Sequence, residues 1–197
     1  MYKKFWLAVL IIMHSFAACA QIKQTNMNNR FDIETYNKNK QAGEYTFEHD
    51  GVKVRQTDFD GGYAETTSKP GTYIDHYREY YKNGVLKEEG DLFNKGTFRL
   101  GTWHFYNEQG GAQKSVNYDE PYTFTLDKVM EFLKRNNLSL ADRWTSINRK
   151  SDTIGDRWII THEDGHVGGA DIQLKHVNLD AVTGKVITIK TSTHHDN

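Results

Sequence analysis

A single cysteine, Cys19, and two prolines, Pro70 and Pro121, occur in 197 residues. One cysteine closes no disulfide within the chain, so stability has to come from ordinary core burial. Beyond Cys19 there is no thiol to serve as a catalytic nucleophile. Charge of one sign is missing too: 25 basic residues face 26 acidic ones. So even a balance offers no electrostatic footprint for a nucleic-acid partner. No apolar run reaches the roughly 20 residues that a spanning helix needs. Neither a G-x-S-x-G elbow nor a Walker phosphate loop occurs, and no pattern calls for a cofactor.

What is present begins at the N-terminus. Tyr2-Lys3-Lys4 is a short basic start, followed by the apolar run Phe5 to Met13 and then His14 and Ser15. Small residues close the segment at Ala17-Ala18-Cys19-Ala20. Basic, apolar and small, in that order, is the pattern of a secretory signal peptide, read here as residues 1–18. Two cleavage points stay open. Ala18-Cys19-Ala20 is a small-x-small site that leaves Gln21 first. Phe16-Ala17-Ala18-Cys19 resembles a bacterial lipobox, with Phe16 where leucine is usual; it implies a lipid on Cys19 and attachment to a membrane through it. Residues 19–41, rich in Asn, Gln and Lys from Ile22 onward and without clear periodicity, read as a flexible tether.

Aromatics make up 13% of the chain, and with many glycines and few prolines they favour sheets joined by tight turns. Gly43-Glu44-Tyr45-Thr46-Phe47 and Gly101-Thr102-Trp103-His104-Phe105 both read Gly-x-aromatic-x-Phe, and each runs into a polar turn ending in glycine. Between them, Tyr77-Arg78-Glu79-Tyr80-Tyr81 leads through Asn83-Gly84 into Val85-Leu86-Lys87-Glu88-Glu89-Gly90. Asn-Gly suits a type I′ hairpin turn. One hairpin cannot bury its aromatic face alone, but a row of neighbours can. Residues 42–120 are therefore expected to form an elongated antiparallel sheet of hairpins. Most of its aromatics should be core, with Tyr77, Tyr80, Tyr81, Trp103 and Tyr106 as candidate anchors for a partner. Lys87-Glu88-Glu89 reads as a solvated strand edge. The span from Tyr77 to Tyr118 resembles a MORN-repeat variant of the YwqK-type antitoxin family. That resemblance implies protein binding and supplies no catalytic residue.

After Pro121 the period changes. Leu126, Val129, Met130 and Leu133 form the apolar stripe of a helix, with Thr125 as N-cap and Asp127 in the first turn. Strands are expected at 157–161, 171–179 and 185–190, with a further one at 144–149. Residues 121–197 thus read as a small lobe of one helix on an antiparallel sheet, and the whole chain as α+β. The helix, Trp158-Ile159-Ile160 and the hairpin from Val177 to Ile187 resemble a PepSY-like domain. This implies an extracytoplasmic binding or inhibitory module.

One motif points elsewhere. His162-Glu163-Asp164-Gly165-His166 fits H-E-x-x-H, in which two imidazoles on one helical face hold Zn²⁺ and the Glu activates its water. The surroundings are wrong for a helix. Trp158 to Thr161 is β-prone, Asp164-Gly165 suits a hairpin turn, and Gly165, Gly168 and Gly169 are poor helix formers. Ile172 occupies the third-ligand position of the longer motif. His176, alternating with Ile172 and Leu174, is expected to face inward, and His194-His195-Asp196 to be a solvated tail. The expectation is an exported, non-enzymatic protein-binding module of the immunity or antitoxin kind. Its rivals are a structural envelope protein and a zinc metalloprotease using His162, Glu163 and His166.

Overall fold

The computed structural model describes residues 30–96, 98–169 and 171–195. The proposed signal peptide, Cys19, most of the tether and Asp196 lie outside the described residues.

Short links with turn residues make the first half of the chain a meander. β1 (Glu44–His49), β2 (Val52–Phe59), β3 (Gly62–Ser68), β4 (Ile74–Tyr81), β5 (Leu86–Phe93), β6 (Phe98–Tyr106) and β7 (Ala112–Asn117) pair in sequence order, all antiparallel. The type I′ backbone falls at Asp50-Gly51, where both residues have positive φ, 51° and 73°. At Asn83-Gly84 only Gly84 is left-handed, at 77°, and the Asn83 side chain accepts the Val85 N–H instead. The register slips at Glu79/Tyr80, so this link is a bulged turn rather than the two-residue one expected.

Part of the expected tether is ordered. Residues 33–39 form helix α1 (Ile33–Asn39), capped by Asp32, whose carboxylate accepts the Thr35 N–H at 2.9 Å. Seven residues are too few for a helix to persist alone in water. Docking holds it: Tyr36 is fully buried, its hydroxyl donates to Gly43 O at 2.7 Å, and Phe31 stacks on Tyr63 at 4.5 Å. Phe31 and Tyr36 form a small core with Tyr80 and Leu86. The low hydrophobicity of the segment hid two aromatic residues that suffice to pin it.

The second half holds α2 (Leu126–Arg135) and a sheet of β8 (Ser146–Asp152), β9 (Gly155–Gly168), β10 (Asp171–Asp180) and β11 (Val186–His194), ordered β11-β10-β9-β8. Val129 and Leu133 are buried beside Trp158, with Leu126 and Met130 packed at the margin. Thr125 sits at the N-cap but its side chain makes no capping bond. Ile187 is 40% exposed because β11 lies at the rim of the sheet. Phe93 and Leu100 of the meander enter the same core as Val129, Ile147, Trp158 and Ile160.

Arg149 marks this meeting of the sheets. Its guanidinium lies over Phe98, Tyr122 and Trp158 at 4.8, 4.3 and 4.5 Å from the ring centres. Nη1 donates to the carbonyls of Arg99 and Tyr118, each at 3.1 Å. Nη2 is 2.7 Å from Asp119 Oδ1, an ion pair whose angles fall outside hydrogen-bond geometry.

A second arginine fixes the start of β9, one ladder pair away. Arg157 grips Asp152 with two prongs, Nη1 to Oδ1 at 2.6 Å and Nη2 to Oδ2 at 2.7 Å. These bonds, with the Ile154 N–H, hold the Asp152 carboxyl well below the usual carboxylate range. A folded-state value below the unfolded one stabilises the fold above the ordinary Asp range near pH 4, and the benefit is lost as pH falls toward the lower value. Asp152→Asn should therefore flatten the acid limb of stability between about pH 4 and pH 2, read as the urea midpoint against pH. An unchanged slope in that window would show that the pair contributes nothing.

Candidate binding face

In a regular antiparallel sheet, residues opposite one another share a face. The register places Gln56, Glu65, Arg78, Glu89 and His104 in one row across β2 to β6. The side chains of the first four join in a line, while His104 meets Ser115 Oγ at 2.9 Å. Gln56 Nε2 donates to Glu65 Oε2 at 2.8 Å, Arg78 lies 3.6 Å from Glu65 and 3.3 Å from Glu89, and the Tyr106 hydroxyl donates to Glu89 Oε1 at 2.9 Å. Two residue pairs further along, on the same face, His76 Nδ1 meets Asp91 Oδ1 at 2.9 Å, and Nε2 lies 3.8 Å from Glu89. Tyr45 and Phe47 of β1, stacked at 4.8 Å, border the row on one side.

Two properties follow. His76 aside, one positive charge, Arg78, meets three negative ones, Glu65, Glu89 and Asp91, so carboxylates outnumber fixed cations on the face. Each member is held by a neighbour on another strand, so little side-chain freedom remains to be lost on binding. The Glu65 and Glu89 side chains are only 17% and 19% exposed, which weakens screening of their charge by solvent. Burial beside Glu89 also raises the Tyr106 hydroxyl above its ordinary pKa, so it remains a donor. Tyr63, Tyr80 and Tyr106, at one end of the face, lie in or against the core that α1 covers.

The other face is built around Trp103, which is 1% exposed. Its ring lies over Gly90, where a Cβ would approach ring atoms to 2.5 Å. Arg99 covers it at 3.9 Å and pairs with Glu88 at 2.7 Å. Tyr77 stacks on it at 5.9 Å; burial, then the charge of Glu79, pushes its hydroxyl up to about 12. Lys87-Glu88-Glu89 is not a solvated edge. β5 is an inner strand, so Glu88 is drawn under Arg99 and is 8% exposed.

Of the five candidate anchors, Tyr80 and Trp103 are core residues and offer no surface. Tyr77, Tyr81 and Tyr106 are partly exposed, with the Tyr81 hydroxyl donating to the Tyr106 carbonyl at 2.9 Å. Sequence reasoning missed Gln56, Glu65, Arg78, Glu89, His76 and Asp91. The usable signal was the spacing of Arg78 and Glu89 about the Asn83-Gly84 turn, which makes them cross-strand partners.

The H-E-x-x-H segment lies within β9. The chain does not turn at Asp164-Gly165; it bulges there and turns beyond Gly168. Glu163 stands opposite Leu174, His166 opposite Ile172 and His162 opposite Lys175. Leu174 and Ile172 share a face, so Glu163 and His166 do also, at 3.6 Å, while His162 belongs to the other. His162 Nδ1 lies 2.7 Å from the Glu163 carbonyl oxygen. Among the described residues no group of three His, Cys, Asp or Glu side chains could hold a metal ion. Purified, tag-free protein should carry far less than one zinc per chain by elemental analysis. A tightly held zinc lost on His162→Ala together with a peptidase activity would contradict this. His176 is half-buried rather than core, bridging Thr161 at 2.9 Å and Ser192 at 2.7 Å on the flanking strands.

Compared with family models, curated proteins and solved structures, the chain matches none.

Proposed function

We propose that this chain is an exported, non-enzymatic protein-binding module, and that the acidic face of the meander receives a basic patch of its partner. The observation that carries the reading is the pre-paired row Gln56–Glu65–Arg78–Glu89, with His76 and Asp91 beside it, crossing inner strands of a sheet. A broad face of ordered charges with Arg78 at its centre and Tyr side chains at its margins suits a protein surface better than a small ligand, which needs a concavity. Complementary charge would steer encounter and exclude wrong partners. The N-terminal pattern supports export with a lipid on Cys19. The hairpin resemblance supports a partner of the toxin-neutralising kind.

Capture from the native cell envelope, followed by mass spectrometry, tests the reading. Asp91 is 54% exposed, so Asp91→Lys should leave the fold intact while placing a positive charge on the face. We expect the partner recovered by the wild-type chain to fall at least tenfold with Asp91→Lys, and wild-type capture to weaken as salt rises. Equal recovery by both chains would contradict the proposal.

A further inference from the structure

Sheets keep their edges from pairing with strangers through charge, shortness or cover. Among the described residues, three of the four sheet edges carry such protection. β1 has Glu44 and Glu48 with Gln41 bridged beside it, β7 is short and carries Lys114, and β8 carries Arg149, Lys150 and Asp152. β11 is the exception. It runs nine residues with one Lys or Arg, Lys190, and Val186 to Thr193 are all exposed. Val186 and Ile189 are 51% and 58% exposed.

The register says what would cover it. Ile147, Ile160, Val177 and Ile189 stand opposite one another across β8, β9, β10 and β11. The first three are 0%, 0% and 7% exposed; only Ile189 is left uncovered, at the rim. We infer that β11 pairs antiparallel with β11 of a second copy of this chain, centred on Ile189. The four-residue apolar row would then meet its own image and run unbroken across a joined sheet. In this register Lys190 lies opposite Thr188 of the second copy and no like charges meet, whereas centring on Lys190 would oppose two lysines. The contact is isologous and closes on itself. Strand addition of this length buries less than the roughly 1,200 Å² of stable complexes, so the dimer dissociates on dilution. The inference does not depend on the acidic face, which belongs to the other sheet.

Sedimentation of the purified full chain over graded concentrations tests it. The expected result is a reversible monomer–dimer equilibrium whose dissociation constant rises at least tenfold with Ile189→Lys. Ile189→Thr keeps a β-branched residue and covers the case in which the lysine variant fails to fold; it should weaken the dimer in the same direction. Amide exchange of β11 should slow with concentration in the wild type. A chain that stays monomeric at every concentration would overturn the inference. So would a dimer indifferent to both substitutions with β11 unprotected.

Discussion

Arg149→Ala is expected to cost about 3–5 kcal/mol of unfolding free energy, the range for removing one partner of a buried charged network. Three losses coincide. The Arg99 and Tyr118 carbonyls lose their shared donor, Asp119 loses its ion pair, and Phe98, Tyr122 and Trp158 lose the flat cation packed among them. The Arg149 side chain is 8% exposed, so water cannot replace these contacts without opening the site. Arg149→Lys should recover only part of the loss, because an ammonium keeps the charge but not the planar fork. Urea unfolding followed by tryptophan fluorescence measures both variants. Because side chains from both sheets share one core, fluorescence and circular dichroism should report a single transition in the wild type. An alanine cost below about 1 kcal/mol would show that the guanidinium is a surface ornament.

Gly96→Ala should be nearly as damaging, at about 2–4 kcal/mol, through overpacking. A Cβ at Gly96 would lie 1.7 Å from the Ile147 carbonyl oxygen. That atom is backbone, held in β8 against β9, so no side-chain rotation relieves the clash. The meander and the second sheet must separate locally, and the core containing Phe93, Ile147 and Trp158 must shift with them. Gly51→Ala is a useful comparison: nothing lies within 4 Å of its Cβ, so only the cost of its positive φ remains. Equal denaturation midpoints for Gly96→Ala and wild type would mean that the backbones do not approach as closely as described.

The elements most legible in the sequence were those with a strong period. The α2 stripe at Leu126, Val129, Met130 and Leu133 and the β10–β11 hairpin follow from side-chain spacing alone, and β8 falls close to the expected 144–149. The alternating aromatics announced a sheet of hairpins. Harder to read was everything decided by neighbours distant in sequence. α1 exists because Phe31 and Tyr36 find Tyr63 and Tyr80, and no local signal marks that docking. Glu88 reads as solvated until Arg99 and Trp103 are placed around it. Tyr80 and Trp103 were candidate anchors among aromatics expected mostly to be core, since large aromatics serve both; burial decides for core. The acidic face escaped because its members are scattered from Gln56 to His104 and converge only through register. Asp164-Gly165 misled because a dipeptide suited to turns also suits a bulge within a long strand.

The most direct test of the binding face is amide hydrogen exchange of the chain alone and with its captured envelope partner. Slowed exchange is expected to concentrate on β2 to β6 around Gln56, Glu65, Arg78 and Glu89, with α2 and β8 to β10 unchanged. Slowed exchange confined to α2 and β8 to β10, with β2 to β6 unaffected, would contradict it.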